Sequence, residues 1–147
     1  MQLKIKRVRE GVALPAYETA GAAAMDLRAV CGEAGIRLEP GQRTLVPTGL
    51  AIELPGPEAV ALIFARSSLG AKHGLALPNG VGVIDSDYRG EIFVALANSG
   101  QEAYTIQQGE RIAQLAILPV ARPQLVEVEA LSDTPRGGSG FGSTGKF

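Results

Sequence analysis

Short runs in which apolar and polar side chains alternate dominate the chain, and they predict β-strands. LKIK at residues 3–6 and LAIEL at residues 50–54 each direct one face of the segment toward a core. Further runs rich in Val, Ile and Leu are bounded by turn residues, which is typical of strands. The predicted strands cover residues 3–6, 36–38, 44–46, 50–54, 59–64, 80–84, 91–98, 103–106, 111–118 and 125–129. This pattern favours an all-β sandwich or barrel.

Helical periodicity is nearly absent, and only residues 67–74 predict a helical turn. Ser67 would cap it and Gly74 would end it, so the helix is expected to be short. Residues 86–90, SDYRG, suit a hairpin loop between the strands predicted at 80–84 and 91–98. Asp85 is therefore expected at the end of the first of those strands.

The chain is predicted to form one β domain followed by an arm. Residues 136–147 contain five glycines and only two apolar side chains, so they cannot pack a core of their own. We expect a domain at 1–131 and a flexible Gly-rich arm at 132–147. Elsewhere, most of the 19 glycines and 9 prolines are spread along the chain, as frequent turns between short strands require.

Charge and hydropathy exclude several classes of function. With 14 basic and 15 acidic residues, the chain lacks the basic field of a general nucleic-acid binder. No apolar run approaches the roughly 20 residues of a membrane helix. Cys31 is the only cysteine, and the first residues, MQLKIKRVRE, lack the apolar centre of a secretory signal. These features favour a cytoplasmic protein without a membrane or nucleic-acid partner.

Two internal segments carry groups suited to phosphate chemistry, and each also has a simpler interpretation. Arg66, Ser67 and Ser68 offer a guanidinium and two hydroxyls to phosphate oxygens, or they form an ordinary capped turn. Asp85 is a candidate base or metal ligand, or only a turn residue. With His73 as the only histidine and Cys31 as the only cysteine, a zinc site of the usual ligands cannot form within one chain.

The arm contains a third set of candidate residues. Arg136 would clamp phosphate and Phe141 would stack on a base if the arm closed over a ligand and expelled water. The alternative interpretation is a disordered terminus, which is common for Gly-rich ends.

Five segments, in this order, resemble the five motifs of the trimeric dUTPase family: AAAMDLRA at 22–29, ARSSLG at 65–70, LPNGVGVIDSDYRGEI at 77–92, GERIAQLAI at 109–117 and RGGSGFGSTG at 136–145. The resemblance implies a jelly-roll-like distorted β-barrel or sandwich that assembles as a homotrimer with active sites at the subunit interfaces. It also implies hydrolysis of dUTP to dUMP and pyrophosphate with Mg²⁺. That reaction keeps uracil out of DNA and supplies dUMP for dTMP synthesis.

The resemblance assigns a role to each candidate residue of the third motif. Asp85 is implied to be the general base that activates water for attack on the α-phosphorus. Asn79 and the backbone at Val83, Ile84 and Phe93 would recognise uracil. Tyr88 would lie against the deoxyribose and leave no room for a ribose 2′-hydroxyl.

Residues of the other motifs are implied to hold the triphosphate: Arg66, Ser67 and Ser68 directly, Gln114 through water, and Arg136 with Phe141 by closing the site. Asp26 is implied to lie at a subunit interface. Any contact between Asp26 and the metal would be mediated by water. Mg²⁺ would be held mainly by the substrate phosphates. Ser68 stands where many family members have Gly, and Met25 departs from the usual first motif, but neither position is assigned to the chemistry.

Two other functions are compatible with the same fold. A dCTP deaminase shares a similar RSSL segment, but its chemistry needs a Glu at the base, whereas this sequence has the complete third motif and the arm. A non-catalytic module that binds nucleotides or a protein partner would gain little from Asp85 beside an anionic triphosphate. The sequence therefore favours the hydrolase.

Overall fold

Short β-strands make up almost all of the regular structure. The computed structural model describes residues 2–138. Within that range the elements are β1 Lys4–Arg7, β2 Met25–Arg28, β3 Ile36–Leu38, β4 Arg43–Pro47, β5 Leu50–Glu53, β6 Ala59–Ala65, α1 Ser67–His73, β7 Leu75–Ala76, β8 Gly82–Ile84, β9 Phe93–Asn98, β10 Tyr104–Ile106 and β11 Arg111–Pro119. The predicted all-β fold with one short helix is confirmed. No helix in this part of the chain is long and apolar enough to span a membrane.

Across the described residues the strands form four antiparallel sheets rather than one closed barrel. The largest has the order β2-β11-β6-β8, the second has the order β4-β9-β7, and β1-β5 and β10-β3 are two-stranded. Both larger sheets contribute to one buried cluster that includes Leu27, Ile63, Val94, Leu96 and Leu115. Burial of one face of each sheet against a shared core is the arrangement of a β-sandwich, in keeping with the jelly-roll-like prediction.

Alternation was predicted for residues 3–6 and 50–54. In β1 the half-buried Ile5 lies between exposed lysines, as predicted, but in β5 Leu50, Ala51 and Ile52 are all buried. Both larger sheets show alternating burial as well. In β6, Ala61 and Ile63 are buried while their neighbours are half-buried, and in β9, Val94 and Leu96 are buried in the same way. The side chains of a strand alternate between its two faces, so each strand gives one face to the core.

One predicted strand is wrong, and two strands were missed. Residues 125–129 form no strand, and Leu125 and Val126 are 91% and 73% exposed because no strand of the described chain lies beside them. The two missed strands are β2 and β7. The buried Asp26 interrupts the apolar pattern of β2, and β7 has only two residues. The strands on either side of the predicted hairpin loop begin at Gly82 and Phe93, two residues later than expected.

The helix matches its prediction at one end only. Gly74 ends α1 with φ 68°, the left-handed conformation that glycine adopts without strain. At the other end, Arg66 occupies the N-cap position without a side-chain capping bond, and Ser67 is the first helical residue. The prediction that the Ser67 hydroxyl caps the helix is therefore wrong.

Candidate active site

A cleft of about 320 Å³, here called the hairpin cleft, is lined by residues of β8, β9 and the loop that joins them. Its lining is completed by Leu45 of β4, Ile63 of β6 and Asn79, which precedes β8. Six residues predicted for the site line this cleft: Asn79, Val83, Ile84, Asp85, Tyr88 and Phe93. The structure thus brings together the whole set that the third motif supplied.

The hairpin cleft exists because β8 and β9 belong to different sheets. Strand β8 pairs with β6, and β9 pairs with β4 along its length. The second edge of β9 meets β7 only at Ala97 and Asn98. Within the described residues the facing edges of β8 and β9 therefore present backbone N–H and C=O groups without a strand partner. Such groups are available to a ligand in the cleft.

Asp85 lies at the end of β8 and is exposed. Ile84, the preceding residue, is 7% exposed and stands opposite Ala61 of β6, so the strand that carries the carboxylate is fixed by pairing and by burial. Asp85 also lines an adjoining pocket of about 620 Å³ together with Val60 and Arg122. Its carboxylate is thus accessible from more than one side.

A second set of predicted residues meets around the buried carboxylate of Asp26, and we call Asp26, Arg66, Arg111 and Gln114 the arginine cluster. Asp26 Oδ2 accepts a hydrogen bond from Arg111 Nη1 at 3.1 Å. Its Oδ1 lies 3.5 Å from Arg66 Nε and accepts from Gln114 Nε2 at 3.4 Å. The Asp26 side chain is only 6% exposed, so one buried anion holds two cations in place.

Strand pairing explains how the arginine cluster forms. Gln114 of β11 stands opposite Asp26 of β2 on one side and opposite Phe64 of β6 on the other. Arg66 follows the end of β6 and donates from Nη1 to the carbonyl of Arg111 at 3.3 Å. Both hydroxyl residues that come next, Ser67 and Ser68, are exposed at the start of α1. One end of the largest sheet thus carries a guanidinium, an amide and two hydroxyls.

Asp85 and the arginine cluster lie at opposite ends of β6. Asp85 lies beside Val60 near the start of β6, whereas Arg66 follows its last residue. The run from Val60 to Arg66 is extended chain of about six residues, roughly 20 Å long. In a single chain the carboxylate of Asp85 and the guanidinium of Arg66 are therefore too far apart to act on one phosphate group.

The predicted residues of the arm fall at the edge of the described chain. Arg136 is exposed, and Phe141 lies outside the described residues. Among residues 2–138, no three His, Cys, Asp or Glu side chains are grouped so as to hold a metal ion. The oxygens of Asp26, for which a water-mediated link to the metal was predicted, face Arg111, Arg66 and Gln114.

Sequence reasoning missed Arg111, which lies in the fourth motif but was given no role. Strict alternation along a strand would put Arg111 and Gln114, three residues apart, on opposite faces. The pairing of β11 with β2 shifts register between Arg111 and Ala113, and this irregularity lets both side chains reach Asp26. No single-strand pattern signals such a shift.

Known proteins resemble the chain in sequence and in fold. The dUTPase family model matches residues 10–145. A deoxyuridine 5′-triphosphate nucleotidohydrolase of Desulfitobacterium hafniense (strain DSM 10664 / DCB-2) is 52% identical, over 99% of this chain and 97% of the relative. Its counterpart in Shigella flexneri serotype 5b (strain 8401) is 49% identical, over 95% and 92% of the two chains.

The fold is shared with a solved enzyme of a bacterial virus. The Staphylococcus bacteriophage 80alpha dUTPase, solved with dUPNHPP, superposes with a TM-score of 0.88 over 99% of both chains at 27% identity. The family model, the relatives and the shared fold all agree. The relatives are about 50% identical to the chain and match it over nearly its full length. The chain therefore belongs to the dUTPase family, the deoxyuridine 5′-triphosphate nucleotidohydrolases.

Proposed function

We propose that the chain hydrolyses dUTP to dUMP and pyrophosphate, with Asp85 orienting and deprotonating the water that attacks the α-phosphorus. The observation that carries this assignment is the hairpin cleft, in which unpaired backbone edges lie beside an exposed carboxylate at a strand end. A carboxylate on a strand fixed by pairing is aimed with little freedom, as a positioned base requires. As the new P–O bond forms, pyrophosphate leaves.

The uracil ring would be recognised by backbone groups of Val83, Ile84 and Phe93, helped by Asn79. Uracil presents two carbonyls and an N–H, and fixed backbone donors and acceptors that match this order are mismatched to cytosine. Sites that hydrogen-bond one specific edge reject analogues that leave those groups unpaired. A hairpin backbone that closes around the ring would also exclude thymine, by a clash with its methyl group.

The sugar would lie against the ring of Tyr88, which is 44% exposed in the cleft wall. An aromatic ring is flat and rigid, so it can pack closely on a deoxyribose and leave no space for a 2′-hydroxyl. Rejection of UTP would then depend on the position of this one side chain.

The triphosphate would be bound by Arg66, Ser67 and Ser68, with Gln114 contacting it through water. Because Arg66 is roughly 20 Å of extended chain from the position of Asp85, these groups would come from a second copy of the chain. Sites shared between identical chains require a symmetric assembly. We therefore propose a homotrimer with active sites at the subunit interfaces.

Exposed apolar side chains beyond β11 support this assembly. Leu125, Val126 and Leu131 are 91%, 73% and 87% exposed in the single chain. Large apolar side chains that are exposed so close together along the chain would be covered by a neighbouring subunit in an assembly. The arm that follows would bring Arg136 and Phe141 over a bound nucleotide and close the site.

Magnesium is the metal proposed for the reaction. The ion would be held mainly by the triphosphate and water rather than by a protein cage. When bound, Mg²⁺ would neutralise charge that develops on the leaving pyrophosphate. In a cytoplasmic setting the reaction would keep uracil out of DNA and supply dUMP for dTMP synthesis.

A pyrophosphate-release assay with dUTP, UTP, dTTP and dCTP, with and without Mg²⁺, tests the activity. Hydrolysis of dUTP alone, dependent on Mg²⁺, is the expected result. Uracil products from dCTP would instead identify a deaminase. Nucleotide binding without pyrophosphate release would identify a non-catalytic module.

Mixing two inactive variants tests whether the sites are shared. Asp85→Asn lacks the base, and Arg66→Ala lacks the cation that binds the phosphates. Each variant is therefore expected to be inactive as a homo-oligomer. If both are refolded together, some interfaces combine an intact Asp85 with an intact Arg66, and part of the activity should return. No recovery from oligomers shown to be mixed would argue against sites built from two chains.

A further inference from the structure

One ion pair fastens the loop between β8 and β9 to the N-terminal segment. Arg9 donates from Nε and Nη2 to the two carboxylate oxygens of Glu91, at 2.7 and 2.9 Å. Such a bidentate pair is both stronger and more directional than a single contact. Glu91 Oε1 also accepts from the backbone N–H of Gly49 at 2.8 Å, and the side chain is only 14% exposed. The hydrogen bonds from Arg9 lower the pKa of the Glu91 carboxyl.

The main chain next to this ion pair supports Tyr88. The Tyr88 hydroxyl donates to the carbonyl oxygen of Glu91 at 2.8 Å. Its ring lies over Gly90, where an added Cβ would be only 2.6 Å from the ring carbon Cζ. Glycine at position 90 therefore makes room for the ring. The ring rests on the backbone of Gly90 and Glu91. This stretch is held by the Glu91 side chain and, on its other side, by Ile92, whose N–H donates to the carbonyl of Leu50 at 2.8 Å.

The remaining side-chain contacts of the loop differ in kind. Arg89 donates to the carbonyls of Ser86 and Tyr88, so these bonds stay inside the loop and cannot fix it relative to the sheets. Arg9 is 82 residues away from Glu91 in sequence and lies just after β1, which pairs with β5. The pair therefore ties the loop to a separate part of the fold.

We infer that Arg9 and Glu91 are positioning residues that hold the Tyr88 wall still and thereby set the discrimination between dUTP and UTP. The inference rests on the proposed function, in which Tyr88 lies against the deoxyribose. Steric exclusion of one hydroxyl works only if the wall does not yield, because a shift of about 1 Å would admit the extra oxygen. Arg9 precedes residues 10–145, so the family match does not include it.

The ratio of kcat/KM for dUTP to kcat/KM for UTP tests this role in Arg9→Ala and Glu91→Gln. An apolar wall rejects an added hydroxyl by about 10²-fold, and we expect loosening to reduce the ratio about fivefold or more. Glu39→Gln is the matched control, since it removes the same charge from the exposed pair with Arg37 and should leave the ratio unchanged. A general loss of folding would lower both rates together and leave the ratio as it was.

A double-mutant cycle shows whether the effect passes through Tyr88. Tyr88→Phe removes the hydroxyl that bonds to Glu91, so Arg9→Ala should change the ratio much less in that background. Arg9→Lys keeps the charge but not the bidentate geometry, and it should give an intermediate ratio even if Arg9→Ala folds poorly. An unchanged ratio in Arg9→Lys and Glu91→Gln would overturn the inference. Failure of the parent chain to hydrolyse dUTP would instead overturn the proposed function.

Discussion

Replacement of Asp26 by Asn tests the arginine cluster, because it changes one oxygen to an NH₂ group and keeps the shape of the side chain. Asp26 accepts from Arg111 on one oxygen and faces Arg66 and Gln114 with the other. All of these partners are donors. An Asn can offer an acceptor to only one side, so a donor must face a donor on the other side.

The structure allows the size of the effect to be worked out. Removing one partner of a fully buried ion pair costs about 3–5 kcal/mol. The side chains of Arg66 and Arg111 are 23% and 38% exposed, so water would compensate part of this loss. We expect a decrease of about 2 kcal/mol in the free energy of unfolding. With an m-value of about 2 kcal/mol/M, this shifts the urea midpoint down by about 1 M.

Activity should fall together with stability, for a separate reason. Arg66 Nε lies 3.5 Å from Asp26, and loss of that anion leaves the guanidinium free to turn away from the substrate phosphates. A charge-assisted contact contributes about 1.5 kcal/mol, which corresponds to about a tenfold loss in kcat/KM for dUTP.

Urea unfolding followed by circular dichroism, at one fixed protein concentration, measures the stability change, and pyrophosphate release measures the kinetics. Glu53→Gln serves as the control, since Lys4 and Glu53 are 74% and 41% exposed and their pair should contribute less than about 1 kcal/mol. An Asp26→Asn protein with the parent's urea midpoint and kcat/KM would refute the reasoning that a buried anion organises this end of the sheet.

Three further predictions concern the base, the arm and a buried phenol. Asp85→Asn should keep dUTP binding, measured by calorimetry, but slow hydrolysis by about 10²-fold or more, and near-normal turnover would contradict its role as the base. A chain ending at Pro135 should still fold and assemble in light-scattering measurements yet lose most activity, because residues 136–138 are exposed; collapse of the assembly would show the arm to be structural. Burial and the hydrogen bond to Glu110 raise the pKa of Tyr104 from 10 to about 12. Its contribution to stability should therefore be complete below pH 10 and lost as the pH rises through about 12, and phenolate absorbance that lacks this late step would contradict the burial argument.

Much of the fold follows from local pattern in the sequence. β3 was predicted at its observed bounds, and β6 and β9 were predicted to within two residues of theirs. These elements were predictable because the burial of every second side chain is a property of the strand itself. Strand β2 was not, since its central Asp26 is buried only by virtue of cations on other strands.

The residues of the hairpin cleft could likewise be named from one continuous motif, as they lie within a short stretch of chain. The predicted strand at 125–129 failed for the opposite reason: its apolar residues fit a strand, but a strand also needs a neighbour, and none lies beside it in the described chain.

By itself, then, the sequence determined most of the short strands and named the candidate residues of the hairpin cleft, because each depends on local spacing and side-chain type. Tertiary structure alone decided the rest. It placed β8 and β9 in different sheets so that a cleft opens between them, and it put Asp85 and Arg66 at opposite ends of β6. It also joined Arg9 to Glu91 and Arg111 to Asp26. These pairs are 82 and 85 residues apart, and strand order and register, which no local pattern encodes, set both contacts.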